Sequence, residues 1–106
     1  MYKVGDVVLV EYPFSEIKES KKRPAIILDV IIRQEYTICQ ITHIDRKLKN
    51  NGHWVEKDTD QGKKMGILTD SFINLDNVID IKAYQIYCKI GECPLIDTIL
   101  DELKLT

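Results

Sequence analysis

The stretch Lys21-Lys22-Arg23-Pro24-Ala25-Ile26-Ile27-Leu28 constrains this chain more than any other. A cluster of cations runs directly into a proline, and the proline opens an apolar run rich in β-forming residues. Proline disfavours the helical region for the residue before it, so Arg23 is expected to be extended. It donates no backbone hydrogen bond, which suits the first position of a strand. The local chain thus fixes a guanidinium at the mouth of a buried strand, where a small β protein can hold an anion.

The rest of the pattern is mostly short strands. Gly5-Asp6 reads as a turn. Val7-Val8-Leu9-Val10-Glu11-Tyr12 reads as a strand, apolar on both faces at first and ended by Pro13. Residues 13–22 form a charged loop, longer than the usual hairpin connection. Phe14 and Ile17 on that loop either tuck beneath it or contact a ligand. A second strand runs from Arg23-Pro24 to Ile31 or Ile32, and Arg33-Gln34-Glu35 is a polar turn. Residues 36–44 read as a third strand. On it Tyr36, Ile38, Gln40, Thr42 and Ile44 share one face, and Thr37, Cys39, Ile41 and His43 the other. Residues 45–52 are a polar loop, 53–56 a short fourth strand, and 58–66 again a charged loop punctuated by glycine. Two further strands, 70–75 and 78–82, meet at Asp76-Asn77, and residues 83–88 continue extended. Pro94 opens a terminal helix whose Leu95, Ile96, Ile99, Leu100 and Leu103 form an apolar stripe. The expected fold is mainly β (α+β): a small twisted antiparallel sheet or half-open barrel with a C-terminal helix, one domain over residues 1–106.

Charge is uneven along the chain. The net charge is −2, from 15 Lys and Arg against 17 Asp and Glu. Residues 18–64 carry eleven cations and seven anions, whereas residues 65–106 carry three and seven. Such a chain can turn a basic face to a polyanion while its acidic end faces elsewhere. No apolar run is long enough to span a bilayer. The opening Met1-Tyr2-Lys3-Val4-Gly5-Asp6 has no signal-peptide core, so a cytoplasmic location is expected. Cys39, Cys88 and Cys93 are odd in number and irregularly spaced, which suits reduced core or surface thiols.

The candidate chemistry is cationic. Cys39 and His43 on one strand would stand about 13 Å apart, too far to share a metal, and Cys88 and Cys93 lack zinc spacing. No metal site or cofactor is expected. Phosphate-cradling loops and the nucleophile-elbow pattern are absent. What remains is Arg23 beside Lys21 and Lys22, with Arg46, Lys47, Lys63 and Lys64 in expected loops. Arginine offers a planar fork to a phosphate. Tyr12, Phe14 and Trp54 either stack on bases or fill the core.

These residues carry a resemblance. Gly5-Asp6-Val7-Val8-Leu9-Val10, a loop, then Lys22-Arg23-Pro24-Ala25-Ile26-Ile27-Leu28 resembles the opening of the MazF/PemK-type ribonuclease toxins of bacterial toxin–antitoxin systems. Ile41-Thr42 stands where that family has an Ile/Val-Thr step. Asp70-Ser71-Phe72-Ile73 with Val78-Ile79-Asp80-Ile81 is similar to its late strand pair, and Lys89-Ile90-Gly91-Glu92 precedes a terminal helix as there. The resemblance implies an SH3-like, CcdB/MazF-type barrel and a homodimer. It implies sequence-specific, metal-independent cleavage of single-stranded RNA to a 2′,3′-cyclic phosphate and a 5′-hydroxyl, with a cognate acidic antitoxin as partner. It carries catalysis to Arg23 and phosphate binding to Thr42. RNA would be met by Tyr12, Phe14, Lys21, Lys22, Arg46, Lys47, Lys63 and Lys64. Many relatives have a small hydroxyl residue after the threonine. Here stands His43, either a proton-transfer group or a side chain on the opposite face from Thr42. The competing reading is a non-catalytic binding module, or a CcdB-like gyrase poison, on the same barrel.

Overall fold

Val and Ile are stiff at χ1 and suit a pleated surface, so runs of them favour strands. A computed structural model describes residues 1–11, 22–42 and 51–104. The strands are β1 (Asp6–Glu11), β2 (Lys22–Ile32), β3 (Glu35–Thr42), β4 (Gly52–Val55), β5 (Ser71–Lys82) and β6 (Ile86–Glu92). The helices are α1 (Asp60–Met65) and α2 (Ile96–Glu102), and a single 3-10 turn spans Ala83–Gln85. The six strands form one antiparallel sheet in the order β4-β5-β3-β2-β1-β6. It does not close on itself: β4 and β6 are its edges, so it is a half-open barrel.

Alternation divides the apolar side chains between two faces. One face, here called the Val8 face, buries Val8, Val10, Ala25, Ile27, Tyr36, Ile38, Ile81 and Ile86, with Tyr2 and Ala83 against them. The other, the Val7 face, buries Val7, Ile26, Leu28, Cys39, Ile41 and Ile73. Met65, Ile67 and Ile99 belong to the same cluster, so α1 and α2 both lie on the Val7 face. Each fully buried Val or Ile is worth about 1.5–3 kcal/mol by removal from water. The expected stripe of α2 packs as read, with Ile99 fully buried and Leu95, Ile96, Leu100 and Leu103 partly so.

Four local expectations are corrected. Residues 58–66 are not all loop, because they contain α1. Thr59 is its N-cap, accepting from the Gly62 amide at 3.1 Å, and Gly66 closes it in the left-handed region at φ 73°. The expected pair of strands 70–75 and 78–82 is one strand, β5. Its partners on β3 jump from Val78 to Asn74, so residues 75–77 bulge out and bend it without ending it. Of residues 83–88 only 86–88 are extended, as the start of β6: Ala83–Gln85 form the 3-10 turn, and the Gln85 side chain accepts from the Lys82 amide at 2.9 Å. Finally, Asp6 is not in the turn at Gly5 but already in β1.

Two close contacts fix the Val7 face. The end of α1 rests on β6 with no side chain between them. A Cβ at Gly91 would collide with the carbonyl oxygens of Lys64 and Met65, and one at Gly66 with that of Ile90. At the other end, Gly5 (φ 95°) donates its amide to Ile27 O at 2.8 Å and accepts from the Cys93 amide at 2.8 Å. It thereby ties the start of β1 to β2 and to the entry of α2.

The Gly5-Asp6 motif is thus structural. Asp6 is 2% exposed, and its Oδ2 accepts from the Lys3 amide at 3.0 Å. Its Oδ1 makes no hydrogen bond of good geometry but lies 3.2 Å from Lys89 Nζ, so that contact is chiefly ionic. Lys89 and Lys3 both reach Glu92 at 3.4 Å. The Asp6 carboxylate holds Lys89 above the ordinary lysine value, and Lys3, then Lys89, hold Glu92 below the ordinary glutamate value. Asp6→Ala leaves a lysine ammonium and a backbone amide short of a partner. It should lower stability by about 1–3 kcal/mol in urea unfolding with the fold retained. Glu92 has its pKa lowered by folding, so its pairing stabilises above the unfolded carboxylate value, about 4.3, and is lost as pH falls through the folded value. Glu92→Gln should therefore lose less stability than wild type on acidification through that window, measured by urea midpoints over a pH series.

Candidate functional site

Arg23 is positioned by two ladders that stop at different places. Toward β1 the register pairs Val10 with Arg23 and Leu9 with Pro24. Toward β3 it begins only at Ala25 opposite Gln40. Pro24 is therefore the third residue of β2 and not its first, as the sequence suggested. The strand tolerates it because the β3 ladder ends one residue short of it. Continuing the β2–β3 register by two residues sets Arg23 across from Thr42.

Register then builds a row of side chains across the sheet. Thr42 pairs with Phe72, and Phe72 pairs with Trp54. Paired residues share a face, so Trp54, Phe72, Thr42, Arg23 and Val10 all stand on the Val8 face. At about 4.8 Å per strand, the aromatic end of the row is roughly 10 Å from Thr42. A second row runs beside it: Gly52, Asn74, Gln40, Ala25 and Val8. In it Gln40 Oε1 accepts from Asn77 Nδ2, which orients the amide next to Thr42. Asn77 reaches that position because of the β5 bulge. Arg23, Thr42 and Phe72 are half-buried, and Trp54, on the edge strand, is 39% exposed. Trp54 therefore does not fill the core.

The remaining expected site residues divide differently. Lys22 is one residue from Arg23, so it points to the Val7 face. Its Nζ sits 3.5 Å from the centroid of the Tyr87 ring. Tyr87 is the extra residue of a bulge in β6, between Cys88 opposite Leu9 and Ile86 opposite Val10. Lys63 and Lys64 are exposed on α1, which covers the Val7 face. The structure thus does not bring Lys22, Lys63 or Lys64 onto the face of Arg23 and Thr42. Tyr12, Phe14, Lys21, His43, Arg46 and Lys47 lie outside the described residues. Sequence reading set Gln40 on the face of Thr42 but missed Phe72 and Asn77 as their neighbours, because cross-strand register is not written in local pattern.

Other chemistries fit poorly. Burial pushes the Cys39 thiol up to about 12 and the Cys93 thiol up to about 11, so neither forms a thiolate nucleophile near neutrality. Among the described residues no cluster of three His, Cys, Asp or Glu stands where a metal could be held. His53 Nε2 lies 2.7 Å from Glu102 Oε1, a clasp between β4 and α2 on the Val7 face. Among the described residues no helix is long and apolar enough to cross a membrane. A guanidinium, a hydroxyl and two aromatic rings in one row can together hold a phosphate and stack its neighbouring bases.

No curated protein matches the chain. Its backbone is similar to the solved structure of the Mycobacterium tuberculosis toxin MazF-mt6, with a TM-score of 0.66 and 20% identity over 92% of this chain and 89% of that one. At that identity the likeness speaks for the fold. The family described as PemK-like, MazF-like toxin of type II toxin–antitoxin system matches residues 3–105, nearly the whole sequence, and the chain belongs to that family.

Proposed function

We propose that this toxin is a metal-independent endoribonuclease that cuts single-stranded RNA within a preferred sequence and so arrests translation. The observation that carries the reading is the row Trp54-Phe72-Thr42-Arg23 on one face of the sheet. In RNA cleavage by internal transfer, the 2′-oxygen attacks the adjacent phosphorus and the bond to the 5′-oxygen breaks. One proton leaves the 2′-hydroxyl and another reaches the departing 5′-oxygen. The products are a 2′,3′-cyclic phosphate and a 5′-hydroxyl. The nucleophile belongs to the substrate, so the protein need only orient the phosphate, stabilise added negative charge and move protons. Arg23 suits the charge, since its guanidinium stays protonated and binds two phosphate oxygens at once. Thr42 donates a hydroxyl hydrogen bond to the same group, and Phe72 and Trp54 hold flanking bases by stacking. His43 directly follows Thr42 in sequence and is assigned the proton transfer.

In this reading the toxin works in the cytoplasm as a homodimer and is held inactive by a cognate acidic antitoxin. Two measurements test it. A long single-stranded RNA incubated with the protein in chelator should be cut at defined positions, with ends carrying cyclic phosphate. Arg23→Ala should slow that cutting by at least about 10²-fold with an unchanged circular dichroism spectrum. Equal and negligible cleavage by both proteins would sink the assignment, and DNA damage on expression with RNA intact would favour a gyrase poison. Trp54→Ala should act mainly on KM, weakening RNA binding by about 1–3 kcal/mol per lost stack while kcat changes little. A fall in kcat alone would remove Trp54 from the binding surface.

A further inference from the structure

Trp54 and Phe72 end the Arg23 row on the part of the sheet with the least backbone support. β4 is four residues long, and among the described residues β5 is its one strand neighbour. So short an edge strand is held by few ladder bonds and opens at low cost. Side chains fasten it at both ends. Before it, the Asn51 amide and Nδ2 donate to Asp76 at 3.0 and 3.2 Å, and Asn51 O accepts from the Leu75 amide at 2.9 Å. After it, the Lys57 amide donates to Asp70 Oδ1 at 2.9 Å. On the Val8 face a Cβ at Gly52 would come within 2.6 Å of the Phe72 ring. That ring fills the side-chain space of Gly52, beside Trp54.

In the middle the strand is fastened from behind. His53 pairs with Ile73 on the Val7 face, and its Nε2 meets Glu102 Oε1 at 2.7 Å at the end of α2. α2 is anchored without β4: the Cys93 amide at its entry donates to Gly5 O at 2.8 Å, and Ile99 is fully buried. A helix fixed elsewhere on the sheet thus grips the edge strand through one imidazole. His53 and Trp54 are consecutive and point to opposite faces, so a shift of one carries the other. The two partners are 27% and 42% exposed, so the clasp suffices to tilt the strand and is not needed to fold the chain.

The charges around the clasp are mostly acidic. Asp76 lines the same cleft as Glu102, Asp101 precedes Glu102 on α2, Glu56 follows β4, and Lys104 lies just beyond α2. Among the described residues no lysine or arginine forms an ion pair with Glu102. Histidine is the side chain that changes charge between about pH 5 and about 8. Protonated, its bond to a carboxylate is charge-assisted and about twice as strong as a neutral one.

We propose that His53 is a positioning residue for RNA binding. Protonated and paired with Glu102, it seats β4 so that Trp54 stands in the stacking row, and the seat slackens as the proton is lost. The proposal rests on the reading above only in giving Trp54 a base to stack on.

Trp54 is the chain's single tryptophan, so its fluorescence reports the seat with no RNA present. Acrylamide quenching of the wild type should steepen as pH is raised from about 6 to about 8. In Glu102→Gln quenching should be steep throughout and insensitive to pH. Asp97→Asn, the same charge change in the first turn of α2, should follow the wild type. With single-stranded RNA, Glu102→Gln should raise KM about two- to fivefold at the lower pH with kcat unchanged. A wild-type slope that ignores pH overturns the proposal, as do equal slopes in Glu102→Gln and wild type. So does an Asp97→Asn variant that matches Glu102→Gln, or a fall in kcat alone. If the quenching results hold and the wild type cuts no RNA, His53 still seats Trp54 and the nuclease reading falls. If quenching is unmoved while Arg23→Ala abolishes cleavage, the reverse holds.

Discussion

Alternation along β2 is the constraint on which the rest of this structure depends. Lys22, Arg23 and Pro24 follow one another on a strand that has neighbours on both sides and apolar clusters on both faces. Successive side chains must therefore go to opposite faces, each already committed to packing. The cation cluster that looks like one patch in sequence becomes two features back to back. Arg23 joins Val10 and Thr42, while Lys22 joins Tyr87, and Pro24 joins Leu9 in an apolar groove. A one-residue slip of β2 would exchange these roles and bury the lysine-side residues. The register is secured against that slip by Ala25 and Ile27 on one face and Ile26 and Leu28 on the other, all nearly inaccessible to solvent.

The β5 bulge has a comparable reach. It lets one strand serve two different parts of β3: Ile79 and Ile81 pair with Ile38 and Tyr36, while Phe72 and Ile73 pair with Thr42 and Ile41. The three residues between are not idle. Leu75 is buried, Asp76 accepts from the Asn51 amide at 3.0 Å, and Asn77 holds Gln40. Without the extra length, the polar row and the Tyr36 end of the Val8 face could not both be in register with β3.

How much was legible in the sequence can be seen element by element. β2 was readable because a proline and a β-branched run mark its ends, and α2 because five apolar residues repeat at helical spacing. α1 was not, since a six-residue helix buries only Gly62 and Met65 and offers no periodicity to count. Its capping signals, Thr59 before and Gly66 after, were the available sign. Asp76-Asn77 was rightly seen as an interruption and wrongly as a break, because polar residues mark a bulge and a turn alike. At the site, Arg23 and Thr42 were reachable from motif likeness, whereas Trp54 and Phe72 joined them only through long-range pairing that no window of sequence contains. The separation of Lys22 from Arg23 was latent in alternation all along, but it gains meaning only once both faces are known to be covered.

The contact between α1 and β6 has a different kind of consequence. Because Gly66 and Gly91 bring main chain against main chain, the distance between the end of α1 and β6 is set by peptide geometry and not by any side chain. Substitutions at Lys63, Lys64 or Leu68, all exposed beside this contact, leave that distance unaltered. The chemistry of the surface around this contact is therefore free to change while the separation of helix and strand stays fixed.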